Sequence, residues 1–405
     1  MTFSTALSGL NAASADLRVT GNNIANSGTT GFKQSRAEFA DVFATAYSGN
    51  SKTAIGAGVR LAAVTQQFDQ GNIDFTGNNL DMAISGRGFF IMSSGGTQTF
   101  TRDGAFQVDR DGYIVNSQGS QLMSYPVQDP IAGTFNRGAL SPLQLATTDS
   151  PPQATTQVDA VFNLSSTAAD LSAIPFDPAD TSSYSFTTSM TVYDSLGQSH
   201  VGTLYFRNVG PLSWESYMTM DGTQVGGAQP LTFAGDGSLV SPAAPVNFGA
   251  YVPGNGANAL NIAFDLAGAT QYGSNDAVTA LRQDGFASGR LTGININEEG
   301  IVLARFTNGQ SSPLGRLALA GFPNPQGLQP VGDNQWAETF AAGDTILGVA
   351  GEGDFGVLQS GGLEGSNVDV AAQLVNLITA QRNFQANAQV ISTADAVTQT
   401  IINIR

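Results

Sequence analysis

The chain has 405 residues, 41% of them hydrophobic, enough to bury several cores and to form two or three domains. Only 12% are charged and the formal net charge is −16, with no Lys/Arg cluster, so a phosphate backbone is repelled and no nucleic-acid partner is expected. No cysteine and one histidine exclude disulfide frameworks, thiolate metal centres and His-rich metal clusters, and neither metal nor cofactor is expected.

The opening stretch up to Arg18 has no basic start and no continuous apolar core, so it does not read as a cleaved secretory signal. No run approaches the roughly 18 apolar residues of a membrane span, and membrane insertion is not expected. Phe3, Leu7, Leu10, Leu17 and Ile24 instead fall on one heptad stripe, thinned by Ser14 and Gly21, which predicts a weakly amphipathic helix. Asn22, Asn23, Gly28 and Gly31 supply stop signals, placing its end near Asn26.

The middle of the chain turns to β signals. Tyr184, Phe186, Thr188, Met190 and Val192 alternate with Ser185, Thr187, Ser189 and Thr191, predicting a strand with one less polar face. Asp194 to Gly197 reads as a turn before a strand around Val201 to Phe206, and Asp-Gly pairs at Asp103, Asp111, Asp221, Asp236 and Asp284 mark further turns. Phe106 to Val115 and Ile294 to Leu303 look alike as hairpins, although they flank the Pro/Ser/Thr-rich stretch 141–156. That places both in one β-domain, 71–144 with 285–363, and makes 145–284 an inserted second β-domain.

Towards the end, Ser366-Asn367-Val368-Asp369 fits a capping box, and no Gly or Pro follows to Arg405. Val370, Leu374, Leu377, Phe384, Ala388 and Ile391 keep a 4,3 spacing interrupted by Gln381, so a long helix of about 55 Å is expected. Asp16 balances Arg18, and Asp369 and Asp395 balance Arg382 and Arg405, so the acidity lies in the middle of the chain. The fold class expected is α+β and multidomain: long terminal helices able to pair as a coiled coil, and two mainly antiparallel β-domains. Two narrow seams bury little surface, so the helices should owe their order partly to other copies of the chain.

Catalytic constellations are hard to build. His200 stands between a turn and a strand and reads as a surface or packing residue. Asp109-Arg-Asp-Gly begins like a calcium loop but lacks the later ligands, and a hairpin turn explains it. With 32 acidic residues a glycosidase-like pair carries no specificity, so the chain is not read as an enzyme.

Gly21-Asn-Asn-Ile-Ala-Asn-Ser-Gly-Thr-Thr-Gly-Phe-Lys33 resembles the amino-terminal signature of the bacterial flagellar rod and hook proteins, with Asn23, Ala25, Asn26, Gly31, Phe32 and Lys33 as its motif positions. Leu363-Glu-Gly-Ser-Asn-Val-Asp-Val and Gln381-Arg-Asn-Phe-Gln-Ala-Asn resemble the carboxy-terminal signature, with Ser366, Asn367, Val368, Asp369, Gln381 and Arg382 as motif positions. The segments beginning at Leu80 and Thr101 resemble parts that rod and hook proteins share, whereas Val192 to His200 and Pro323 to Trp336 look like the hook branch.

The resemblance implies a self-assembling subunit of a curved tubular polymer that passes torque while it bends, a flexible universal joint. It implies a helical layer from 1–28 and 364–405 around a channel, and an extended bracing segment over 29–70. The partners implied are further copies, the hook cap, distal rod, hook–filament junction and length-control proteins, and the flagellar type III export apparatus. Export without a cleaved signal would place the protein outside the cell. A distal rod protein of the same family, or a secreted acidic β-domain binding protein or adhesin, are the competing expectations.

Overall fold

The computed structural model describes residues 2–42, 56–130, 132–145 and 149–403. Two compact units divide the chain: Met1–Thr147 with Gly293–Ala304 and Ser311–Arg405, and Thr148–Thr292 with Arg305–Gln310. The expected insertion at 145–284 is extended at its far end for a visible reason. Gln153 N donates to Phe286 O (3.0 Å) and Ser150 N to Gly289 O (2.7 Å), tying the residues after 284 to the inserted body. The terminal helices, expected as a domain of their own, fall within the first unit.

In the first unit, α1 (Thr2–Ala25) and α2 (Val370–Asn403) are the only α-helices among the described residues. At about 1.5 Å per residue they are roughly 36 and 51 Å long. They run antiparallel: Asn23 reaches Gln373, and a side chain at Gly9 would strike Asn387, so contacting positions sum to 396 in both cases. Thr2 therefore lies level with Ala394, and the last turns of α2 run beyond α1. The pair buries small and polar residues, Ala6, Ala13, Ala15, Thr20 and Asn23 from α1 and Gln373 and Ala380 from α2.

Helix ends follow local chemistry. The expected stop near Asn26 falls one residue past the observed end, where Asn26 Nδ2 donates to Asn22 O at 3.0 Å. At the start of α2 the cap differs from the expected box. Asp369 Oδ1 accepts the amides of Ala371 (2.9 Å) and Ala372 (3.2 Å), while Ser366 Oγ only receives Val368 N. Asp369 is the N-cap, because it stands immediately before the first helical residue and its short carboxylate reaches both free amides.

Between α1 and the β-body runs a hairpin, β1 (Ser35–Asp41) and β2 (Val59–Gln66), antiparallel with a bulge at Glu38/Phe39. The bracing segment expected over 29–70 is thus partly a two-stranded ribbon, and residues 43–55 within it lie outside the described residues.

The β-body of this unit is built on the strand Phe89–Ser94, which is buried on both faces. Phe90 and Met92 enter one core with Met82, Ile84, Leu122, Leu317 and Leu319. Phe89 and Ile91 enter a second with Phe100, Tyr125, Phe322 and Trp336, as a period-2 strand between two layers must do. Both look-alike hairpins are present: Gln107–Val108 pairs with Ile114–Val115, and the turn after Ile296 closes on Asn297, whose Oδ1 accepts Ile301 N at 2.7 Å. Asp109 Oδ1 accepts Asp111 N (2.9 Å) and Tyr113 N (2.7 Å), so that carboxylate closes a turn.

The second unit holds two five-stranded sheets. One is a meander, Phe186–Tyr193, Ser199–Gly210, Ser213–Met220, Thr223–Phe233 and Leu239–Ser241, and in its first strand Met190 and Val192 point inward as the alternation predicts. The other centres on Gln157–Ser165, which pairs antiparallel with Ala277–Gln283 but parallel with two short strands, Leu260–Asp265 and Thr270–Tyr272. The inner faces share one core, with Phe162 and Phe206 rings 4.5 Å apart.

Candidate functional site

The motif residues converge where the chain leaves α1 and re-enters α2. Lys33 Nζ lies 2.6 Å from Glu364 Oε1, and both side chains are wholly buried. Arg102 Nη1 approaches Glu364 Oε2 at 3.2 Å. Glu364 Oε1 also accepts Gly71 N at 2.9 Å, and Lys33 donates further to Asp69 O at 2.7 Å. Two cations thus share one carboxylate in a region closed to water. Burial draws the Lys33 ammonium below its ordinary pKa, with the Glu364 carboxylate pulling the other way, and burial likewise lowers Arg102. Arg102 gains further support from Gly86 O at 2.7 Å and from the Phe89 ring, whose centre lies 5.4 Å from the guanidinium carbon.

Around this triad, backbone and amide groups stitch the same segments together. Asn23 Oδ1 accepts Ser35 N at 2.9 Å while its Nδ2 donates to Ser35 O at 2.7 Å. Asn367 Oδ1 accepts Gln34 N at 2.8 Å and its Nδ2 donates to Gln67 O at 2.8 Å. Gly31 N donates to Glu364 O at 2.7 Å. Gly31 itself is required twice over, since its φ is +68° and a Cβ would lie 2.5 Å from Asp103 N. The segment ending at Trp336 joins in: Asn334 Nδ2 donates to Thr30 O at 2.7 Å, Trp336 Nε1 donates to Gln66 Oε1, and the Trp336 ring stands edge-on to Phe68 at 5.3 Å.

The amino-terminal motif therefore divides into roles: Asn23, Gly31 and Lys33 meet the body, Asn26 finishes α1, Ala25 is exposed and Phe32 half-buried. Of the carboxy-terminal motif, Asn367 joins the junction, Val368 is buried beside it, Asp369 caps α2 and Ser366 turns the chain. Gln381 and Arg382 lie on α2, exposed. Glu364, Arg102 and Trp336 complete the junction without having been singled out as site residues. Only their membership of quoted motifs and the rarity of charge in this chain could have signalled them.

The helix stripe is placed differently from the expected seams. Leu10, Leu17, Ile24, Leu377, Phe384, Ala388 and Ile391 are half-buried. Phe3 and Leu7 are 50% and 43% exposed, and Val370 and Leu374 41% and 47%. Val375, Ile378, Val390, Val397 and Ile402 are exposed as well. The pair is thus held by small residues, and much of its apolar surface faces outward.

This arrangement anchors rather than reacts. Its ionic groups are paired with one another, and both helices leave from this one junction.

Comparison with known proteins agrees with this geometry. Family models match in four stretches: flagella basal body rod protein over residues 3–33, the flagellar hook protein FlgE/F/G D1 domain over 83–156, the flagellar basal body protein FlaE D2 domain over 163–286, and the flagellar basal body rod FlgEFG protein C-terminal region over 359–404. The molecule is of the axial class of flagellar proteins. Flagellar hook protein FlgE of Salmonella typhimurium is 40% identical over 414 residues, covering all of both chains. That of Escherichia coli K12 is 40% identical over 413 residues, again end to end, and that of Rhizobium meliloti 33% over 415, covering 98% of that protein. The chain belongs to the flagellar hook protein family. The crystal structure of Helicobacter pylori flagellar hook protein FlgE2, 16% identical, shares the fold with a TM-score of 0.55 over 72% of this chain and all of that one.

Proposed function

We propose that the chain is the repeating subunit of the flagellar hook, polymerising through its terminal helices into a curved tube that joins rod to filament as a flexible universal joint. The observation that carries this is the outward-facing apolar surface of a helix pair rooted in a buried ionic junction. Phe3, Leu7, Val370, Leu374, Val397 and Ile402 would be covered by neighbouring copies, giving a coiled-coil inner layer. Contact of one surface with a different surface on the next copy generates an open helical polymer where the rotation between copies does not close on itself.

The domain roles follow. Residues 1–28 and 364–405 form the inner helical layer, the ribbon within 29–70 braces neighbours, 71–144 with 285–363 forms the inner β-domain, and the inserted unit faces outward. On this reading the chain performs no catalysis and works outside the cell. Its other partners are the cap, distal rod, junction and length-control proteins and the type III exporter. Full-length likeness to hook proteins favours this over a straight distal rod subunit or an adhesin.

The test is sedimentation of purified full chain under polymerising salt. Wild type should pellet as tubes, whereas Leu374→Asp should remain in the supernatant with an unchanged circular dichroism spectrum. Tubes from Leu374→Asp at wild-type yield would remove the helix surface from the account.

A further inference from the structure

The single histidine lies in the second unit, and hook assembly leaves it without a task. His200 sits near the start of the strand Ser199–Gly210, its ring buried. Each ring nitrogen meets a different carboxylate: Nδ1 is 2.7 Å from Asp221 Oδ2, and Nε2 is 3.3 Å from Asp194 Oδ2. A neutral imidazole has one N–H and one lone pair, so in either tautomer a carboxylate oxygen would face a lone pair. Only the imidazolium donates to both.

The two carboxylates are fixed independently of the ring. Asp194 Oδ1 accepts Leu196 N (2.9 Å) and Gln198 N (2.8 Å), closing one turn, and its Oδ2 accepts Asn255 Nδ2 at 2.5 Å. Asp221, at φ +48°, forms a tight turn with Gly222 at φ +80°. Its Oδ1 accepts Val201 N (2.9 Å) and its Oδ2 the Tyr251 hydroxyl (3.1 Å). The Tyr251 ring stands edge-on to the imidazole at 5.6 Å. Three connections, 194–198, 221–222 and 251–255, therefore meet at one ring. The charged or titratable groups facing it from these elements are Asp194, Asp221 and the Tyr251 phenol, while Asn255 supplies a neutral amide.

We propose that His200 is a charged pin, an imidazolium clamped between Asp194 and Asp221 that holds three connections of the inserted unit together, and that rising pH releases it. Burial alone would lower the pKa of His200, but the hydrogen bonds and charges of Asp221 and Asp194 outweigh it and raise the value above 6.5. For Asp194 burial works upward, and the bonds from Asn255, Gln198, His200 and Leu196 prevail, holding it at about 2.

The sign follows from linkage. A raised folded-state value for His200 means that its stabilisation is complete below the unfolded value of about 6.5 and is lost as pH climbs through the folded one. The depressed Asp194 value means that its share is complete above the ordinary carboxylate range and is lost as pH falls from there towards about 2. The pin thus survives mild acid and is lost as pH rises through the raised His200 value. If the protein is a hook subunit outside the cell, as proposed above, its inserted unit meets the pH of the surroundings directly.

Because the histidine is unique, full-length chain carrying 13Cε1-histidine gives one assignable resonance in dilute monomer. Its titration midpoint should lie above 6.5, and the amides of Leu196, Gln198 and Val201 should shift with the same midpoint. Asp221→Asn should move the midpoint down, and His200→Gln should abolish the coupled amide shifts. A wild-type midpoint at or below 6.5, or amides that ignore the titration, would overturn the proposal. The decisive reading uses unpolymerised wild type, so it stands apart from whether tubes form and whether either variant folds.

Discussion

Glu364 is the residue on which two buried cations depend. Glu364→Gln keeps the shape but leaves Lys33 and Arg102 facing each other without a counter-charge, which should cost about 3–5 kcal/mol. Each unit contains one tryptophan, Trp336 in the first and Trp214 in the second, so urea unfolding followed by fluorescence in a Trp214→Phe background reports the junction's unit alone. Gly31→Ala should cost at least about 2 kcal/mol in the same assay, since the left-handed backbone penalty adds to a Cβ contact with main chain that cannot easily yield. Lys33 stands in the quoted amino-terminal motif, but its partner is 331 positions away, and a single sequence holds no signal of that pairing. The sequence shows His200 only as a surface or packing residue for the same reason: its carboxylates come from two turns that only the folded sheet brings to one place.

At the scale of elements, the two helices were legible because a long stretch without Gly or Pro and clear stop signals are local properties. Their facing surfaces were less so. Heptad counting rewards large apolar residues, whereas this pair closes over Ala6, Ala13, Ala380 and Gly9, which the count treats as blanks. Close approach at Gly9 makes a clean test. Gly9→Leu should clash with Asn387 and loosen the pair, lowering helical circular dichroism while the tryptophan signal of the β-body is unchanged. The cap is similar: Asp369→Ala should destabilise α2 by about 1 kcal/mol, and Ser366→Ala by less, read from helix content against temperature. Alternating strands and Asp-Gly turns revealed the β-units, but the parallel pairings of Gln157–Ser165 were not foreseeable, because short strands carry no mark of their neighbours' direction.

For the whole molecule, a buried ionic junction carries a helix pair whose outer surface is, on the proposal above, covered by other copies. Much of that surface is thinly apolar, so the isolated pair gains little from burial and should open before the β-units do. Limited proteolysis of dilute monomer should trim both ends first and leave a core holding both tryptophans, and uniform resistance would mean that the helices need no neighbours. The most direct measurement is an electron cryo-microscopy reconstruction of the polymer formed by the full chain. The expected result is a curved tube whose innermost wall is α1 and α2, with Leu374 and Val397 buried against adjacent copies. A straight tube, or a polymer in which those two side chains remain exposed while the β-units make all the contacts, would contradict it.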